Sequence, residues 1–526
     1  MRSRSTIAGY PGLTKAEELF REKKNDEASM VLIEHLREHR DEPRGLALLG
    51  EIAMDSGALA QAEQFLRRAI ALGARSYEVK RNLASTIMRL DRLDEALEAF
   101  TQLEQQHDDL HLTATRANLL DRLGRTQESL IVHERVTADP RCQSNHWIMY
   151  GHTLRFAGQT DKAIGVFREI VAREPDRGEA WWGLADIKSS VLTNEDIETL
   201  EKQAEAAVDI LNLVPIHMAL GRGLHDRGQY ERAFHHYREG NRLRAELINY
   251  EPDELTREVD QFIRMTPRGR LGPPQSAPGP IPIFLVSLPR SGSTLLEQIL
   301  GRHPQIEAVG ELPHSRALMR ASLELHMRNG PLQVFEYLER LTADEKRMLG
   351  SEYMRRAAAH RQTNVTHFID KMPSNWSDLL FIRAILPQAR FVEIRRDGMD
   401  CCFSNYIHHF GAAHAASFDL GHQGRLCADY TRLMDHLTSA APGMLCTIGY
   451  EELIDQPKRE LTKVLDYLGL EWDEALLRFY ESDRSVRTPS AEQVRRPLNR
   501  SGIGTWKPYA EWLGPLREAL GLLAND

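Results

Sequence analysis

The stretch Ile283 to Pro304 reads IFLVSLPRSGSTLLEQILGRHP, an apolar run, a turn of Pro, Arg, Ser, Gly, Ser and Thr, and an amphipathic run. A strand, a tight turn and a helix are written in this order. Such a turn, Pro289 to Thr294, offers free backbone N–H groups at the positive end of a helix. It adds the hydroxyls of Ser291, Ser293 and Thr294 and the fixed charge of Arg290. That set is suited to a phosphate or a sulfate. The nucleoside-triphosphate loop would instead read G-x-x-x-x-G-K-[ST] and would need an aspartate to share a magnesium ion. The stretch lacks that lysine, so triphosphate hydrolysis, including a nucleotide-dependent kinase, is disfavoured. A second stretch, FVEIRRDGMDCCFSNYIHHF, again leaves an apolar run on a basic residue and places Ser404 eight residues after Arg396. An Arg at a strand end and a hydroxyl on the next helix can clamp a second, separate phosphate. Two anion sites on one sheet imply a ligand with phosphate at both ends.

The elements that must position these residues are short β-rich runs alternating with helical stretches. The runs are IPIFLVSL, IEAV, HFID, RFVEI and MLCTIGY, all after Ile281. This alternation predicts an α/β domain over 281–526 with a mostly parallel sheet, whose ligands lie at the carboxyl ends of the strands. Residues 266–280, TPRGRLGPPQSAPGP, carry five Pro and three Gly and can be neither helix nor central strand, so they read as a linker.

Upstream, small residues recur at Gly50, Ala84, Ala117, Gly151, Ala185 and Gly221, with separations of 34, 33, 34, 34 and 36. That period belongs to a helix-turn-helix repeat, and residues 1–265 are expected to form an all-α tetratricopeptide-like solenoid. In the copy WIMYGHTLRFAGQTDKAIGVFREIVAREP, Trp147, Gly151, Leu154, Gly158, Ala163, Phe167 and Pro175 occupy the pattern positions. Gly221, Leu224, Gly228, Ala233 and Tyr237 do so in the last copy. Small residues let paired helices approach, and the aromatic fills the space between repeats. The copies near 110–135 and 178–212 are eroded. A solenoid of this kind offers a concave face for a protein or peptide partner. The anion-binding loops fall wholly within the second module, so removing 1–265 is expected to spare them.

With 67 basic and 76 acidic side chains the net charge is −9, which argues against a surface built for nucleic acid or anionic lipid. The N-terminus has no apolar core of a signal peptide and no run is long enough to span a bilayer, so a cytoplasmic protein is expected. The five cysteines, Cys142, Cys401, Cys402, Cys427 and Cys446, lack metal-finger or paired spacing and read as buried free thiols.

At this point the motifs carry a resemblance. PRSGSTLLEQIL is similar to the 5′-phosphosulfate loop of the sulfotransferase family and RRDGMDCCFSNY to its 3′-phosphate motif. The nearest branch is the tyrosylprotein sulfotransferases, together with bacterial chains that fuse tetratricopeptide repeats to this domain. The resemblance implies 3′-phosphoadenosine-5′-phosphosulfate as sulfuryl donor and no metal. It assigns Arg290, Ser291, Gly292, Ser293 and Thr294 to the 5′-phosphosulfate, and Arg396 and Ser404 to the 3′-phosphate. AVGELPH resembles the element that supplies the catalytic base, here Glu311. FIDKMPSNW resembles the strand end whose lysine faces the bridging oxygen, here Lys371. TIGYEELIDQP implies an adenine-side Tyr450, and PSAEQVRRPLNRSGIGTWKPY a sulfate-side Ser490. His314 is a reserve base, because histidine serves in the small-molecule branch. The chain departs from the tyrosylprotein branch at His408, where that branch has Arg, and at Thr505, where it has Lys. The expected activity is sulfation of a protein or peptide tyrosine recruited by the repeats. The alternatives are sulfation of a saccharide or small phenol, or a repeat scaffold with a degenerate nucleotide-binding domain.

Overall fold

The computed structural model describes residues 10–187, 190–206, 209–327, 334–481 and 493–522. From Pro11–Arg21 to Pro252–Met265 the described chain is helical, and from Ile281 strands alternate with helices. The expected helical-repeat solenoid followed by a parallel α/β domain is the architecture found. The chain divides into two compact units, one of Met1–Val136 with Arg316–Leu341 and one of Thr137–Ser315 with Thr342–Asp526.

The repeat glycines act through close approach. A Cβ on Gly151 or Gly183 would stand 2.7 or 2.6 Å from the Phe167 ring, and one on Gly221 would stand 2.6 Å from Tyr237. Phe167 and Tyr237 are fully buried, as are Ala163 and Ala233 on the same second helices. The eroded copy at 178–212 keeps a short first helix, Gly178–Ala185, and a second helix, Asn194–Ala206. In the first unit the helix Leu59–Ala71 has no capping side chain of its own. The Glu324 carboxylate fills that role, accepting from the N–H groups of Ala60 at 3.0 Å and Gln61 at 2.8 Å.

Residues 266–280 contain neither helix nor strand. Their backbone is tied to the α/β module, with the Gly269 N–H donating to the Ala440 carbonyl at 3.1 Å and the Gln275 N–H to Pro387 at 2.8 Å. Arg383 donates to the Pro273 carbonyl at 2.6 Å.

The five apolar runs are the five strands: β1 Ile281–Val286, β2 Ile306–Gly310, β3 His367–Asp370, β4 Arg390–Arg395 and β5 Leu445–Gly449. They form one sheet in the order β2-β3-β1-β4-β5, and every pairing is parallel. β1, β3 and β4 are almost wholly buried, as a sheet covered on both faces requires. After β1 the chain builds β2 and β3 on one side, then β4 and β5 on the other. The order therefore reverses at β1, where such sheets open a ligand crevice.

Gly221→Ala tests the packing of the repeats. In a free helix the change would stabilise by up to about 1 kcal/mol. Against the Tyr237 ring it should instead cost about 1–3 kcal/mol, typical of overpacking. The urea midpoint followed by circular dichroism should fall, and an unchanged or higher midpoint would mean that the close approach carries no energy.

Candidate active site

Because all five strands run parallel, their carboxyl ends lie along one edge, and each delivers one of the residues singled out by the sequence. In sheet order these are Glu311 after β2, Lys371 after β3, the Pro289–Thr294 turn after β1, Arg396 after β4 and Tyr450 after β5.

The turn has left-handed backbone at Arg290, φ +67°, and at Gly292, φ +100°. The first costs on the order of 1–3 kcal/mol for a residue with a Cβ. The second admits only glycine for a further reason, since a Cβ there would lie 2.5 Å from Tyr450 Cδ2. Gly292 then opens the helix Ser293–Leu300 with no side-chain cap. Ser293 and Thr294 are buried in its first turn. Arg290 Nε donates to Ser404 Oγ at 3.2 Å, so the two anion motifs meet. Ser291 Oγ lies 3.2 Å from Cys401 Sγ. Burial lowers the pKa of Arg290, an effect opposed by the Asp186 carboxylate. Burial likewise raises that of Tyr450, opposed by Arg396.

Arg396 binds the site together. Its Nη1 donates to the Arg290 carbonyl at 2.7 Å, its Nη2 to the Gly502 carbonyl, and its guanidinium carbon stands 5.1 Å from the centre of the Tyr450 ring. Nearby, the buried Asp400 carboxylate accepts from the N–H groups of Gly504 at 2.6 Å and Thr505 at 2.8 Å, and from Thr505 Oγ1 at 3.0 Å. The segment 502–505 is thereby folded onto the end of β4.

A cavity of about 450 Å³ collects Arg290, Gly292, Ser293, Thr294, Arg396, Ser404 and Tyr450. Its size falls within the range of small-ligand sites. A larger one, about 660 Å³, touches Ser291 and Arg396 but none of the other hydroxyls of the two motifs, so it is the smaller cavity that gathers both motifs. Its walls are not confined to the α/β module. Trp182, Asp186, Arg222, His225 and Tyr237 also line it, so the repeats supply part of the wall although the two loops themselves lie within the second module, as read from the sequence. These five lie in the part of the solenoid that forms one compact unit with the sheet.

Residues 282–474 match the sulfotransferase family model, and 144–187 match a tetratricopeptide repeat. The former stretch of the chain is similar to the sulfotransferase family. The chain is 29% identical over 390 residues to an uncharacterized protein of Aquifex aeolicus, covering 70% of this chain and 49% of that one. It therefore spans about half the length of that relative. It is 22% identical over 234 residues to protein-tyrosine sulfotransferase 1 of Danio rerio, covering 43% of this chain and 65% of that one. Among solved structures, the sulfotransferase domain from the curacin biosynthetic pathway aligns with a TM-score of 0.31 at 18% identity, over 44% of this chain and 92% of that one.

Within the α/β module, Glu311 and Lys371 form an ion pair, Lys371 Nζ donating to Glu311 Oε1. The lysine side chain is 1% exposed and the glutamate 41%, so the carboxylate is the more accessible member of the pair. Neither lines the 450 Å³ cavity. Ser490 lies outside the described residues. His408 lines the cavity, edge-on to Trp182 with ring centres 5.6 Å apart, and Thr505 lines it with its hydroxyl engaged by Asp400. Asp400 was not singled out in the sequence, although an Asp in the middle of the apolar stretch DGMDCCF was the available signal. All five cysteines are free, four of them buried. No helix among the described residues is long and apolar enough to cross a membrane.

His314 is buried, neither ring nitrogen has a hydrogen-bond partner, and burial pushes its pKa from 6.5 down to about 3. The unfolded chain takes up this proton below about pH 6.5 while the folded chain stays neutral to about pH 3. The neutral ring therefore contributes stability that is lost as pH falls through that window, by up to about 1.4 kcal/mol per pH unit. His314→Leu should lose less stability between pH 7 and 4.5 than the parent, measured by urea unfolding. An unchanged pH slope would refute the buried neutral ring.

Proposed function

We propose that the chain transfers a sulfuryl group from 3′-phosphoadenosine-5′-phosphosulfate to an acceptor hydroxyl, a protein or peptide tyrosine recruited by the repeats. The observation that carries this reading is the row of residues on the strand ends. Two cationic, hydroxyl-bearing turns at β1 and β4 share one cavity, and a carboxylate paired with a lysine stands at β2 and β3. The family match and the named tyrosine sulfotransferase among its relatives favour the same chemistry.

In this reading the Pro289–Thr294 turn, with Arg290, Ser291, Gly292, Ser293 and Thr294, holds the 5′-phosphosulfate end by backbone N–H groups, hydroxyls and charge. Arg396 and Ser404 hold the 3′-phosphate, and Tyr450 packs on the adenine side. The cavity fits such a ligand on its own chemistry, because Arg396 Nε is a buried donor without a partner. Glu311 accepts the proton of the acceptor hydroxyl as its oxygen bonds to sulfur. The sulfur–oxygen bond to the 5′-phosphate breaks, and adenosine 3′,5′-bisphosphate leaves. Lys371, Arg290 and Ser490 stabilise the charge that moves onto the leaving oxygen. Positioning and charge stabilisation dominate such a transfer, as in phosphoryl transfer. No metal is required by these roles. The sequence modules 1–265, 266–280 and 281–526 would serve as recruiting array, linker and catalytic domain, in a cytoplasmic protein.

Incubating the chain with donor carrying radioactive sulfur and a cell extract should place label on tyrosine. Label confined to carbohydrate or small phenols would replace the acceptor, and no transfer to any acceptor would overturn the reading.

Glu311→Gln removes basicity while leaving the Lys371 ammonium an oxygen to bond. Donor affinity by calorimetry should stay within threefold, while turnover falls on the order of 10²–10⁴-fold, the usual contribution of a general base. Turnover within threefold of the parent from pH 6 to 9 would exclude Glu311 as the base.

A further inference from the structure

Three buried donors around the 450 Å³ cavity have no hydrogen-bond partner: Arg396 Nε, Arg222 Nε and Tyr237 Oη. Buried polar groups are almost always satisfied, so orphan donors gathered at one cavity mark where a ligand's acceptor atoms belong. Only Arg396 comes from the two anion motifs. Arg222 lies on the helix Ile210–His225 and Tyr237 on Tyr230–Leu247, the two helices of the last repeat. Tyr237 is fully buried. Arg222 Nε is 3.1 Å from the Asp226 carboxylate one turn on, without forming an aligned hydrogen bond.

Which end of a ligand these donors would meet follows from what each end already has. The 5′-phosphosulfate end already has the backbone and hydroxyls of the turn opening the helix Ser293–Leu300. The other end has Arg396, Ser404 and His408, and the His408 ring is turned against Trp182 of the repeats. Among the described residues Asp186 is the carboxylate that lines the cavity, and it is ion-paired with the buried Arg155 at 2.9 Å.

We propose that Arg222, assisted by the Tyr237 hydroxyl, binds the 3′-phosphate of the donor, so that the last helical repeat is part of the nucleotide site. This rests on the donor proposed above. It makes Arg222 a binding residue supplied by the solenoid, providing the cationic contact that His408 does not.

Calorimetry on the full chain tests it with two probes, adenosine 3′,5′-bisphosphate and adenosine 5′-phosphosulfate, which lacks the 3′-phosphate. Arg222→Gln should weaken the bisphosphate on the order of 10–100-fold, as expected for a lost charge-assisted hydrogen bond, and leave the phosphosulfate within threefold. Tyr237→Phe keeps the buried ring and should weaken the bisphosphate by about 2–10-fold with the same selectivity. Should Arg222→Gln fail to fold by circular dichroism, Tyr237→Phe decides by the same comparison. Bisphosphate affinity unchanged, or equal losses for both probes, overturns the assignment. A parent chain that binds neither probe overturns the donor reading itself, which separates the two failures.

Discussion

The arrangement depends on one guanidinium held by carbonyls. Arg396 donates to the backbone oxygens of Arg290 and Gly502 and lies over the Tyr450 ring. It thus joins the turn after β1, the end of β5 and the C-terminal segment at one point. Carbonyls and a ring face orient a cation without neutralising it, so its charge remains available to an anion. Had a carboxylate formed the bidentate bond, the same side chain would have been a structural strut. Asp400, the acid within reach at 3.9 Å, is instead turned to the N–H groups of Gly504 and Thr505. That carboxylate secures the segment whose carbonyl Arg396 uses.

Charge is distributed along the sheet edge in two parts. At β1 and β4 the cations Arg290 and Arg396 stand beside hydroxyls, whereas at β2 and β3 a carboxylate and an ammonium stand beside each other. The pairing gives the buried Lys371 the partner that a desolvated ammonium requires. The strained backbone at Arg290 fits the same scheme. Its left-handed φ is sustained by the surrounding contacts and turns the carbonyl toward Arg396.

Much of this was legible in the sequence because it is written locally. Alternating apolar runs gave all five strands, the 34-residue period gave the solenoid, and the Arg-hydroxyl spacings pointed to the two anion motifs that the cavity brings together. The pairing of Glu311 with Lys371 was not legible, since 60 positions separate them and only the β2–β3 register brings them together. Nor was the part played by the repeats. Tyr237 sits at a consensus packing position, and nothing in a period reveals which repeat residue also faces a cavity. Gly292 could be read as a turn residue, but its intolerance of a Cβ depends on Tyr450, more than 150 residues later.

The shared wall of the cavity also limits how such a chain can change in length. Solenoids ordinarily gain and lose whole repeats, because each unit contacts only its neighbours. Upstream of Thr137 that freedom holds for the cavity, since none of its lining residues comes from there. Between Trp182 and Tyr237 it does not. A duplicated or deleted helix pair there would shift Arg222 relative to Trp182 by a whole repeat and break the wall of the cavity. Related chains of this design should therefore vary in repeat number toward the N-terminus while keeping the count fixed over the last two repeats.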